Sequence, residues 1–284
     1  MSTPGVAVPG TNVPSGVLVT PGGSQGIQGL QGPTGPILFG HIAGLTLANG
    51  SPATTMLSVA SGAATDSTAA VYLINSGTFN KSISGTWAVG SGNNGMGKTL
   101  TAAASTWYHV FAIINSGLFD IYFDTSVNGT NAPTGTTAFR RIGSIKLNAS
   151  AQIIAFTQFG DEFLWLAPPN DIQGQSISTA NVLLTLSVPL GVKVYALLQG
   201  YVGTSGQNVY CNLTAPDIGS QPVDSVVINR TLEIAVTGIT NLSLAVPITV
   251  RTNTASQIQA VSNSAGASVY LTTNGWIDLR GKNN

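Results

Sequence analysis

Glycine stands at every third position from Gly23 to Gly35, in the run Gly23-Ser-Gln-Gly26-Ile-Gln-Gly29-Leu-Gln-Gly32-Pro-Thr-Gly35-Pro36. Few folds use that pattern. It suits a collagen-type triple helix, in which three polyproline II chains meet along an axis too crowded for any side chain. Ile27, Leu30 and Pro33 occupy the position after glycine, as such a helix allows. At about 3.1 Å per residue the run would span roughly 40 Å. So short a run cannot hold three chains alone, and flanking domains have to clamp it. The plainer alternative is a flexible Gly/Gln spacer. The period favours the triple helix, and with it a homotrimer whose shaft glycines are Gly23, Gly26, Gly29, Gly32 and Gly35.

Residues 1–22 carry Pro4, Pro9, Pro14 and Pro21 at near-regular spacing. Each proline fixes its own φ and biases its predecessor toward extended geometry, so this arm cannot be helical. Such an arm is either a linker or a docking peptide. Val6, Val8 and Val13, set between Pro4, Pro9 and Pro14, favour docking on a partner surface.

The chain is 284 residues long, with ten basic and ten acidic side chains and a net charge of zero. Only 7% of residues are charged, against about 25% in an ordinary soluble domain. That balance argues against nucleic acid as a partner, because phosphate contacts need clustered Lys and Arg. It argues equally against a polybasic membrane surface. No run reaches the roughly 20 apolar residues of a membrane helix, so no membrane insertion is expected. The stretch Met1–Gly10 has no basic region followed by an apolar run, so synthesis in a cytoplasm without secretion is expected. A single cysteine, Cys211, excludes an intramolecular disulfide framework. So few charges suit a chain that works inside an assembly.

From Ile37 onward the pattern is short strands, and the expected class is all-β. Trp107–Ile114 and Leu118–Asp124 read as a hairpin around Asn115-Ser116-Gly117. Gln152–Phe156 and Glu162–Leu166 read as a second, turning near Gly160-Asp161. Further strands are expected over Val182–Val188, Val192–Leu198, Val226–Ile228, Leu232–Val236 and Leu242–Val250. Thr273-Asn274-Gly275 reads as a hairpin turn between Ser268–Thr272 and Trp276–Leu279. Pro168-Pro169 marks a boundary, giving a first β domain over 37–170 and a C-terminal one over 171–284. Both read as sandwich or jelly-roll-like.

Chemistry-bearing motifs are few. Gly92-Asn-Asn-Gly-Met-Gly97-Lys98-Thr99 matches the phosphate-loop pattern letter for letter. A genuine phosphate loop opens a helix, whereas here Trp107 begins a strand a few residues later. His109 shares a strand face with Trp107 and Phe111, which suits a half-buried ring; Asp120 or Asp124 across the hairpin could orient it, but nothing marks a nucleophile. Two histidines and one cysteine leave no room for a zinc site, and no cofactor is expected. Asp120 and Asp124 lie roughly 13 Å apart along a strand at about 3.3 Å per residue, wider than a glycosidase pair. Adjacent Asp161 and Glu162 point to opposite faces. Neither pair marks an enzyme. Most aromatics belong to a core or subunit interface. Tyr201 and Tyr210, flanking Gly203-Thr-Ser-Gly206, are the best candidates for a surface contact with sugar.

A Pro-rich arm, a short collagen-like run and β-rich distal domains together resemble a tailed-bacteriophage virion fibre. Phe139-Arg-Arg-Ile-Gly-Ser-Ile145 and the ending Val269-Tyr-Leu-Thr-Thr-Asn-Gly-Trp-Ile-Asp-Leu-Arg280 look like segments of phage tail-fibre and head-fibre proteins. The likeness implies a homotrimer located in the virion and made in the bacterial host's cytoplasm. It implies anchoring by the N-terminal arm to a capsid or tail protein, and distal domains that meet host cell-surface glycan. Other fates of such a chain are a capsid decoration protein that reinforces the lattice without receptor binding, and a polysaccharide depolymerase.

Overall fold

The structure is a computed structural model that describes residues 37–204, 208–219, 221, 223, 231–234 and 245–282. The expected arm (with Pro4, Val6, Val8, Pro9, Val13 and Pro14), the shaft glycines Gly23 to Gly35 and the strand expected over Val226–Ile228 lie outside the described residues.

The described chain is all-β, with a single 3-10 turn at Pro216–Ile218 as its only helical element. The strands begin with β1 (Ile42–Gly44), β2 (Leu47–Asn49), β3 (Met56–Val59), β4 (Gly62–Thr65), β5 (Tyr72–Asn75), β6 (Phe79–Thr86) and β7 (Asn94–Met96). They continue through β8 (Trp107–Asn115), β9 (Leu118–Asp124), β10 (Thr136–Lys146), β11 (Phe156–Phe159) and β12 (Glu162–Trp165). The remainder are β13 (Ile172–Ile177), β14 (Val182–Thr185), β15 (Tyr195–Thr204), β16 (Val209–Thr214), β17 (Leu232–Ile234), β18 (Val246–Arg251), β19 (Gln257–Ser262) and β20 (Ala267–Ile277).

Four sheets result. One is β1-β4-β5, and a seven-stranded sheet runs β10-β8-β9-β7-β6-β3-β2. A third runs β11-β12-β20-β15-β18 with β13 also on β20, and the fourth is β14-β19-β16-β17. Pairing is antiparallel except where β7 lies parallel to β6 and β9.

Local sequence accounts for the tight turns. Between β8 and β9, Ser116 and Gly117 both take positive φ, 49° and 82°, the backbone a primed two-residue hairpin turn requires. The second expected hairpin turns at Gly160-Asp161 as β11–β12, but its first strand is Phe156–Phe159 rather than Gln152–Phe156, because Ile153 bridges Leu147 instead.

Thr273-Asn274-Gly275 is no hairpin. β20 runs unbroken through it, and the register against β15 jumps from Leu198↔Thr273 to Leu197↔Gly275, leaving Asn274 as a bulge. The reason is tertiary. β15 covers one edge of β20, while β12 and β13 share the other, so ladder bonds on both sides hold the segment extended. Glycine is needed there for contact rather than for turning: a Cβ on Gly275 would sit 2.0 Å from the Phe163 carbonyl oxygen.

The division expected near residue 170 is crossed by a sheet. β11 and β12, before Pro168-Pro169, join β20, β15 and β18, after it, and residues 37–284 make one compact unit. Its central aromatic cluster spans that point too. Trp276 stacks on Phe163 at 5.1 Å and 3°, meets Trp165 at 4.9 Å, and takes Trp107 of β8 edge-on at 5.5 Å.

Candidate functional site

The motifs that pattern alone singled out are structural. In the glycine-lysine stretch, Gly97 N–H donates to the Phe123 carbonyl and Lys98 N–H to the Asn131 carbonyl, each at 2.9 Å. Amides that would cradle phosphate are thus spent on neighbouring backbone, and turns rather than a helix follow Thr99.

Asp120 and Asp124 are fully buried, with separate partners. Asp120 meets Lys81 Nζ at 2.8 Å. Asp124 accepts from Ser126 N, Asn131 N and Asn131 Nδ2 at 2.7–2.8 Å, organising the loop after β9. Asp161 binds the chain end, accepting from Arg280 Nη2 and Lys282 Nζ at 2.8 Å. Burial raises its pKa, but hydrogen bonds from Lys282 and Arg280 outweigh this and leave the carboxyl below its ordinary range.

His109 does sit near a serine and an acid, in the wrong order for nucleophilic catalysis. Its Nδ1 lies 2.9 Å from Ser144 Oγ and accepts from Arg141 Nε at 3.1 Å. Arg141 in turn pairs with Asp278. The acid therefore orients the arginine rather than the imidazole, and Ser144 is fully buried. Asp124, directly opposite His109 in register, is held by its loop.

Burial, with Arg141 adding to it, pushes the His109 pKa down to about 3, so the ring stays neutral at neutral pH. The unfolded ring titrates near 6.5. The neutral ring's contribution to stability is therefore complete above about pH 6.5 and declines as pH falls toward 3. Thermal melts between pH 7 and pH 4 should show falling stability, with a shallower fall in His109→Gln. An equal slope in the variant would contradict this account.

A different arrangement faces solvent on the sheet β13-β20-β15-β18. Strand alternation turns Val269 and Leu271 inward and Ser268, Tyr270 and Thr272 outward. On β15, Leu198 and Val202 face inward and Gln199 and Tyr201 outward. Tyr201 and Tyr270 are register partners, so their rings stack across the strands at 4.6 Å and 7°. Thr272 pairs with Gln199, and Gln173 of β13 with Tyr270.

Beside the tyrosine pair opens a cleft of about 460 Å³, lined by Asn170, Gln173, Gln199, Tyr201, Tyr270 and Thr272 together with Ile172, Gly200, Ala245 and Leu271. None of these residues is charged. Thr272 Oγ1 donates to Asn170 Oδ1 at 2.6 Å, and Gln173 Nε2 donates to the Asn170 carbonyl at 3.3 Å. The Gln199 amide is exposed and has no protein partner among the described residues. Asp171, between Asn170 and Ile172 in the chain, accepts from Thr273 Oγ1 and from Ser187 N and Oγ, and Asp217 pairs with Lys193 and Arg251 at 2.8 and 2.7 Å.

Of the two tyrosines the sequence singled out, Tyr201 lines this cleft, while Tyr210 lies on β16 in another sheet; the two are not brought together. Tyr270 was missed. The signal for it was present: it alternates with Val269 and Leu271 and falls in phase with Ser268 and Thr272. Only the pairing of β15 with β20 places it on Tyr201.

No protein-family model matches the chain, and no curated protein does. Among solved structures, the infectious bursal disease virus VP2 subviral particle is similar at 10% identity and a TM-score of 0.19, over 84% of this chain and 73% of that one. The structure of the same virus's Gx strain stands at 11% identity and a TM-score of 0.17, over 82% and 70%. Likeness at that level carries no argument about function.

Proposed function

We propose that this chain is a homotrimeric virion fibre of a tailed bacteriophage. Residues 1–22 dock on a capsid or tail protein, Gly23 to Gly35 form a short triple-helical shaft, and the β body meets glycan on the host cell surface. The observation that carries the reading is the period-three glycine run leading directly into a charge-poor all-β body. A triple helix needs three chains, and a β body downstream supplies a clamp so short a run requires.

Light scattering after size exclusion tests it. A native mass near three times 29.0 kDa is expected; a monomer would overturn the shaft and the fibre with it. Removal of residues 1–22 should leave the trimer intact but abolish its incorporation into particles. Normal incorporation of the truncated chain would refute docking by the arm.

A further inference from the structure

We infer that the cleft beside Tyr201 and Tyr270 is a subsite for an uncharged saccharide unit, an inference that rests on the attachment reading above and assigns it a place. Chemistry selects the ligand class. Two tyrosine rings stacked by cross-strand pairing cover one face of each other and offer apolar edges and an outer face beside the cleft, and their phenolic ends stay polar. Around them stand three carboxamides, Asn170, Gln173 and Gln199, and the hydroxyl of Thr272. Carboxamides both donate and accept, so they match a hydroxyl that also does both. An apolar wall with a few convergent neutral polar groups is how small-molecule sites combine affinity with orientation, and 460 Å³ lies within their range of about 300–1,000 Å³.

Charge excludes the alternatives. Among the described residues, no Lys or Arg lines the cleft to neutralise a uronic acid, a sialic acid or a phosphate, and no Asp or Glu lines it to hold an amine. Asp171, next to Asn170 in the chain, is taken up by Ser187 and Thr273, and Lys193, Asp217 and Arg251, at the Tyr195 end of β15, pair among themselves.

Two glycines keep the rings in place. Gly174 takes a φ of 72°, and a Cβ there would come within 3.1 Å of Tyr270 Oη; one on Gly203 would lie 3.4 Å from Tyr270 Cε2. A side chain at Gly174 would crowd the Tyr270 ring, so glycine there leaves the ring its place, and stacking on Tyr201 holds it without a hydrogen bond to its hydroxyl among the described residues. A rigid ring binds with little loss of rotamer freedom.

The test uses the full chain and cells of a strain that wild-type protein binds. Surface polysaccharide is released from those cells by mild acid and separated on an anion exchanger into neutral and acidic fractions, which then compete for binding. The neutral fraction should compete and the acidic one should not. Tyr270→Ala should raise the half-saturating concentration about tenfold, as for a truncated aromatic anchor, and Tyr270→Phe should stay close to wild type. Gln199→Ala, at an exposed position that cannot disturb the core, should weaken binding about threefold, the loss of one hydrogen bond. Competition by the acidic fraction alone, or binding undiminished in both Tyr270→Ala and Gln199→Ala, would overturn the subsite and leave cell attachment standing. Failure of wild-type protein to bind any strain would overturn the attachment reading and the subsite together.

Discussion

Lys81→Met is expected to destabilise the β body by about 3–5 kcal/mol, lowering its melting temperature by roughly 10 °C. Lys81 is fully buried on β6, yet every proton of its ammonium has somewhere to go. Nζ meets Asp120 Oδ1 at 2.8 Å and donates to the carbonyls of Ala88 and Gly90 at 2.5 and 2.9 Å. The Trp87 ring lies 5.1 Å away, close enough for a cation–π contact. Asp120 in turn accepts from the Gly90 and Ile121 amides at 2.6 Å.

Methionine keeps the volume and removes the charge, which leaves the buried Asp120 without its counter-charge and two carbonyls without a donor. Most of the loss comes from that stranded carboxylate rather than from the pair itself. The double variant Lys81→Met/Asp120→Leu should therefore recover a large part of it. Urea unfolding of the single and double variants decides the matter. Additive losses would show that the two groups do not act as a unit.

Trp276→Ala should cost a comparable 3–5 kcal/mol, roughly, through the cavity it opens. Trp276 is fully buried and touches Phe163, Trp165 and Trp107, so its loss loosens the contact between β20, β12 and β8 at one point. Trp276→Phe tests the packing argument more finely. The indole Nε1 is buried without a hydrogen-bond partner among the described residues. Phenylalanine removes that orphaned donor and keeps a stacking ring, so its cost should be well under half that of alanine. An equal loss in both variants would contradict the packing argument, since the ring that phenylalanine retains would then recover nothing.

Both positions bear on how far the sequence could be read. Alternation of apolar and polar residues along β20 marks Val269 and Leu271 as inward and Tyr270 and Thr272 as outward, and the structure agrees. Ser116-Gly117 reads as a hairpin turn because a two-residue primed turn depends on local φ alone. Thr273-Asn274-Gly275 carries an equally strong local turn signal and forms none, because strands remote in sequence pair with both of its edges. The same limit applies to Lys81. Nothing within its own strand says that a lysine there is buried; Asp120, its partner, lies two strands away in the sheet and far along the chain.

What can be read from residues alone here is whatever depends on near neighbours in the chain: strand period, the β8–β9 turn, the glycine spacing, and the scarcity of charge. Steric rules for φ and side-chain direction act within a few residues, so they leave a mark in the sequence. Tertiary structure decided what depends on pairing between distant strands: one sheet crossing Pro168-Pro169, a bulge in place of a hairpin, and an acid that serves Arg141 instead of His109. It also made a site of Tyr201 and Tyr270, 69 residues apart by their numbers, because β15 and β20 lie side by side and cross-strand neighbours sit closer than any two side chains along one strand face.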